Sequence, residues 1–169
     1  MYQQDYPQQN DSDIMKGDYQ SGNENTQESG DLKVLNEIYQ NAAMGKQSIS
    51  NIITKIENED FKKKVLNAYQ NYEEICGKCS MEIMNMGERP KEKNPFSKAM
   101  LWGMVNASAI VDDSVSNLAG IIIKGCNNSK NNITRTLNQA ESVSQNVKDL
   151  ADEYLKNEQQ CISDMQSFL

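Results

Sequence analysis

Histidine is absent from this 169-residue chain. The side chain that most readily exchanges a proton near neutral pH is therefore missing, and acid–base chemistry would fall to a glutamate or cysteine with a strongly displaced pKa. Cationic side chains are also few: 17 Lys and Arg stand against 24 Asp and Glu, a formal charge of −7. Binding to a nucleic-acid backbone needs clustered Lys and Arg, so neither DNA nor RNA is an expected partner. No basic amphipathic face appears, which argues against an anionic membrane surface. Long apolar runs are lacking as well. The longest, residues 99–105, falls far short of the roughly 20 residues that span a bilayer, so no membrane insertion is expected.

No basic stretch followed by an apolar core opens the sequence, so no secretory signal is expected. Four cysteines without dense spacing do not make a secreted disulfide scaffold. A cytoplasmic chain with reduced thiols is the reading. No nucleophile–base pair and no glycine-rich phosphate loop is present, so no enzyme activity is expected.

What the sequence does contain is helix-period apolar patterning. Residues 58–87 carry the clearest stripe: Phe61, Val65, Ala68, Tyr72, Ile75, Cys79 and Met86 recur at spacings of three and four. Gly87 is placed to cap that helix, and Pro90 and Pro95 prevent its continuation. Before it, Leu32, Leu35, Ile38, Ala42, Gly45, Ile49, Ile52 and Ile56 form a heptad-like seam over residues 31–57, with Asp31 as N-cap. Gly45 costs about 1 kcal/mol of helix propensity relative to Ala. Its place on the seam predicts the close passage of another helix. The short connection between these two helices forces an antiparallel hairpin.

A polar turn follows, in which Asn94 can cap a short helix over 96–111 with Pro95 in its first turn. Ala99, Gly103 and Ala107 permit close packing there, and Trp102, the lone tryptophan, serves as a core or edge anchor. Asp112 or Asp113 can cap a third long helix over 114–138, with Leu118, Ile122, Cys126, Ile133 and Leu137 on one side. Poor helix formers around Asn127 leave room for a local break. Ser142 and Gln145 make a capping-box pattern for a last helix, to about Phe168, that buries Val147, Ala151, Tyr154, Cys161, Met165 and Phe168. No strand pattern appears, so the expected fold is all-α. Residues 1–30 are rich in Gln, Asn, Ser, Asp and Gly, and read as a disordered polar tail. Tyr2, Tyr6 and Tyr19 punctuate it. One bundle domain over 31–169 completes the organisation.

The order of long hairpin, Gly-x-x-Pro turn, short crossing helix and second long hairpin resembles the ferritin-like superfamily. Within it, the chain is similar to a bacterial branch of small, mostly uncharacterised four-helix domains. The residues that carry the likeness are Leu35-Asn36, Asp60-Phe61-Lys62, the turn Gly87-Glu88-Arg89-Pro90, Trp102 and Gly125. The likeness covers about residues 32–168 and implies a four-helix bundle with a crossing segment between its hairpins. Ferritin-like di-iron proteins place a Glu on each of two helices and a Glu-x-x-His pair on each of the other two. This chain departs from that pattern. It has no histidine, no carboxylate between Glu37 and Glu57 or between Asp113 and Glu141, and Gly125-Cys126 where a mid-helix glutamate belongs. A di-iron centre is not expected, and neither is any other cofactor.

Glu73-x-x-Cys76 and Glu158-x-x-Cys161 echo the Glu-x-x-His spacing with sulfur in place of imidazole. With Cys79 and Cys126 they form a candidate thiolate–carboxylate set for zinc or another soft ion, or for a redox response. On the competing reading the cysteines fill the core as small apolar side chains and the glutamates reach its edge. No occupied metal site is expected. The leading functional expectation is a non-catalytic structural or protein-interaction bundle, pairing with itself or another protein through its helix faces. A metal- or redox-responsive protein is the rival, and a spore- or envelope-associated coat component a third reading suggested by the Gln/Asn/Tyr-rich tail.

Overall fold

The computed structural model describes residues 29–92 and 112–169. Over these residues the chain forms four long helices and no strand: α1 (Gly30–Ile52), α2 (Glu59–Asn85), α3 (Val115–Gln139) and α4 (Gln145–Gln166), with a 3-10 turn at Ile53–Lys55. Expectations for the tail up to residue 28, and for the crossing helix, Asn94, Pro95 and Trp102, lie outside the described residues.

The cross-links between helices give their directions. The amide of Ser144, at the start of α4, donates to Asp31 at the start of α1, at 2.7 Å. At the start of α2, Lys64 meets Asp164 near the end of α4 at 2.8 Å, and Phe61 sets its ring edge-on to Phe168, centroids 5.0 Å apart. Asn146 donates to Glu82, tying the start of α4 to the end of α2. Helix α1 thus runs parallel to α4, while α2 and α3 run opposite to both. Each hairpin is antiparallel, α1 packs on α3 and α2 on α4, so α2 ends and α3 begins at opposite ends of the bundle.

The apolar stripes line the shared core. Leu35, Ile38, Phe61, Val65, Ile75, Ile133, Ala151 and Met165 are fully buried. On α2 the stripe ends at Ile83, which is buried, whereas Met86 stands 42% exposed. The register from Cys79 advances four residues to Ile83, and Met86 lies beyond the last inward-facing turn. Ile122, Leu137 and Phe168 are half-buried rather than buried.

The helix starts differ from the sequence reading. Ser29 caps α1, its hydroxyl accepting from the Leu32 amide at 3.2 Å. Asp31 is freed to hold Ser144. Ser114 caps α3, accepting from the Asn117 amide at 3.3 Å, and Asp112 sits two residues outside with its carboxylate on the Ser114 amide. Helix α4 begins at Gln145 after Ser144, so Ser142 and Gln145 form no capping box. Asn58 caps α2 through its side chain at 2.9 Å from the Phe61 amide. Gly87, at φ +79°, closes α2 with the paired bonds Gly87 N–H to Met84 and Glu88 N–H to Ile83, a geometry that glycine adopts without strain. Helix α3 runs unbroken past Asn127, because Cys126, Ser129 and Ile133 pack inward on one face and leave the asparagines outside.

Candidate functional site

A buried polar cluster sits halfway along the bundle. Its centre is Glu158 on α4, 1% exposed. Its position follows from register: Tyr154 lies one turn before it and Cys161 one turn after, so all three share the inward face of α4. From α2, the Tyr72 hydroxyl donates to Glu158 Oε2 at 3.1 Å and lies 3.6 Å from the Cys126 thiol of α3. Ser129, one turn along α3, hydrogen-bonds the Tyr154 hydroxyl.

Gly45 of α1 makes room for this arrangement. A Cβ there would lie 2.7 Å from Tyr72 Cε2, so the glycine predicted from the seam is where the Tyr72 ring crosses α1. The close approach is real, and its partner is a side chain.

Burial disfavours the charged forms of the cluster's titratable groups. Burial raises the Glu158 pKa, against the opposing pull of hydrogen bonds from Tyr154, Cys126, Tyr72 and Ser129. Burial likewise pushes the Tyr72 and Tyr154 phenols well above their usual value, and the neighbouring Glu158 adds to both. The Cys126 thiol is pushed far up by its hydrogen bond with Cys161, with burial second. Among the described residues no buried side-chain nitrogen or oxygen lacks a hydrogen-bond partner.

The candidate thiolate–carboxylate set divides. Cys126, Glu158 and Cys161 join the central cluster. Cys79 is buried two turns along α2 from Tyr72, about 10 Å at 1.5 Å per residue, where burial pushes its pKa up to about 12. Cys76 is half-buried against α1, its thiol 3.9 Å from the Tyr39 carbonyl. Glu73 is on the surface, paired with Lys46 at 3.3 Å. All four cysteines are free. Among the described residues no three His, Cys, Asp or Glu side chains converge in an arrangement that could hold a metal ion. The expectation that the glutamates reach the edge holds for Glu73 and fails for Glu158, whose register carries it inward between Tyr154 and Cys161.

Beside the cluster opens a cleft of about 370 Å³ between α1 and α3. Met44, Ile49 and Ile52 of α1 and Ile121 and Ile122 of α3 form its walls. Asn128, Asn131 and Asn132 contribute amides, and Tyr72, Cys126, Ser129 and Glu158 belong to both cleft and cluster. The sequence reading took Tyr72 and Tyr154 as apolar core and passed over Ser129. The available signal was a glutamate interrupting the apolar stripe between Tyr154 and Cys161, with tyrosines on two helices able to reach it.

Set against family models, curated proteins and solved structures, the chain matches none. The likeness to ferritin-like proteins therefore has no relative behind it.

Proposed function

We propose that this protein is a non-catalytic bundle of the ferritin-like kind that acts by association, as a structural or protein-interaction module, with a second copy of the chain as its partner. The observation that carries this reading is a methionine patch on α2: Met81 and Met84 stand one turn apart at 59% and 56% exposed, and Met86 follows at 42%. Flexible, polarizable methionine suits adaptable contact surfaces. Support for a non-catalytic role comes from the thiols: Cys76, Cys79 and Cys126 all have raised pKa values, chiefly through burial for the first two and through the Cys161 contact for Cys126, so none is an activated thiolate. Support for the ferritin-like kind is the order of two antiparallel hairpins, with α2 ending and α3 beginning at opposite ends of the bundle. A cytoplasmic location fits the four free cysteines. None of the described helices is long and apolar enough to cross a membrane. Sedimentation velocity over a concentration series tests the association. A dimer that dissociates in Met81→Ser/Met84→Ser is the expected result; a wild-type chain monomeric throughout the series would end the proposal.

The rival, a thiolate–carboxylate metal or redox site, draws on one observation: the Tyr72 hydroxyl meets both the Cys126 thiol and the Glu158 carboxyl. Zinc titration separates the two readings. Tight zinc binding that disappears in Cys126→Ser/Cys161→Ser would establish the rival.

A further inference from the structure

We propose that the cleft between α1 and α3 binds a small organic cation, an ammonium group carried on a short aliphatic body. The inference does not depend on self-association, since the methionine patch and the cleft involve different residues.

The first argument is the charge of the lining. Glu158 is the one carboxylic acid among the cleft residues, and no Lys or Arg is with it. A carboxylate- or phosphate-bearing ligand would meet a carboxyl group with no cation to offset it. The whole chain, at −7, favours accumulation of cations near its surface. The second argument is shape and polarity. Aliphatic walls from both helices suit a hydrocarbon body, while Glu158 and the asparagine amides offer acceptors for the three N–H donors of an ammonium group. A bare metal ion would find one carboxylate and no converging ligand set.

The third argument is cost. A carboxyl group buried at mid-bundle destabilises the fold relative to an apolar residue of similar size, even when hydrogen-bonded. Leu at that position of the α4 stripe would continue the core between Tyr154 and Cys161. A cation entering the cleft offsets the cost by stabilising the ionised carboxylate. Gly125 serves the same end: it lines the cleft, and a Cβ built on it meets nothing within 4 Å. Helix propensity there has been given up by about 1 kcal/mol, and open space kept.

Isothermal titration calorimetry on the full chain tests the proposal. The probes are n-hexylammonium chloride and its neutral and anionic counterparts, n-hexanol and sodium hexanoate. Saturable one-to-one binding of hexylammonium is expected, tighter than either counterpart by about tenfold or more, the scale of one charge contact. Glu158→Gln should remove that preference for hexylammonium. Gly125→Leu should abolish binding of all three by filling the mouth, whereas Gly77→Leu, also with nothing within 4 Å but on α2 away from the cleft, should bind as wild type. Absence of saturable hexylammonium binding, equal affinity for hexanoate, or undiminished binding in Gly125→Leu would each overturn the proposal.

Discussion

The same substitution at two glycines should act in opposite directions. Gly45 on α1 and Gly125 on α3 both lie mid-helix and both line the cleft. In an isolated helix, replacing either by Ala would gain about 1 kcal/mol. At Gly125 nothing lies within 4 Å of the new Cβ, so Gly125→Ala should realise most of that gain. At Gly45 the new Cβ would sit 2.7, 2.9 and 3.0 Å from three atoms of the Tyr72 ring. Carbon atoms in contact prefer about 3.5–4.0 Å, so the ring must retreat by roughly 1 Å. Tyr72 is only 6% exposed, and its hydroxyl is committed to Glu158 at 3.1 Å. Overpacking of this sort costs about 1–3 kcal/mol. Set against the propensity gain, Gly45→Ala should range from neutral to about 2 kcal/mol destabilised. The two variants should therefore differ by about 1–3 kcal/mol. Urea denaturation followed by circular dichroism measures this, with stability read from the midpoint at unchanged slope. If Gly45→Ala proves as stable as Gly125→Ala, the Tyr72 ring does not cross α1 at Gly45.

Two further predictions concern the cluster. Because the folded Glu158 carboxyl holds its proton more tightly than an unfolded one, its contribution to stability is lost as pH rises from the ordinary carboxylate value through its raised folded value. Each unit of such a shift corresponds to about 1.4 kcal/mol. Glu158→Gln should gain stability relative to wild type as pH increases across that window, measured by denaturation at a series of pH values; a difference that stays constant or reverses would refute the sign. Thiol labelling of the native chain should proceed at Cys76, which is half-buried, well before Cys79, Cys126 and Cys161, which are buried. Mass mapping of the modified peptides checks the order, and early labelling of Cys126 would contradict the packing of the cluster.

Helix periodicity made the bundle legible in the sequence. The runs Leu32 to Ile56 and Phe61 to Cys79 repeat at a period only a helix satisfies, and their burial follows. Ends were less legible, because Ser29 and Asp31, or Ser114 and Asp112, are interchangeable as caps until the backbone shows which residue precedes the first turn. Met86 was misplaced for a related reason: where α2 ends decides whether its apolar residue faces core or water. The cluster was the least legible feature. Tyr72 and Glu158 are 86 residues apart, Tyr72 and Cys126 are 54, and each taken alone reads as an ordinary core or edge residue. Only the docking of three helices at one level joins them. The cleft required still more, since Gly45 and Gly125 carry no sign that one is filled by a ring and the other left open.

Glu158 lies inside the bundle, held by Tyr72 and its neighbours in a site that resists ionisation. Carbon-13 NMR of glutamate-labelled protein reads this directly, with Glu158→Gln assigning the resonance by its disappearance. The Glu158 carboxyl carbon is expected to titrate above the ordinary carboxylate value, because burial disfavours its charged form. A Glu158 carboxyl that titrates at or below the ordinary carboxylate value would contradict this placement.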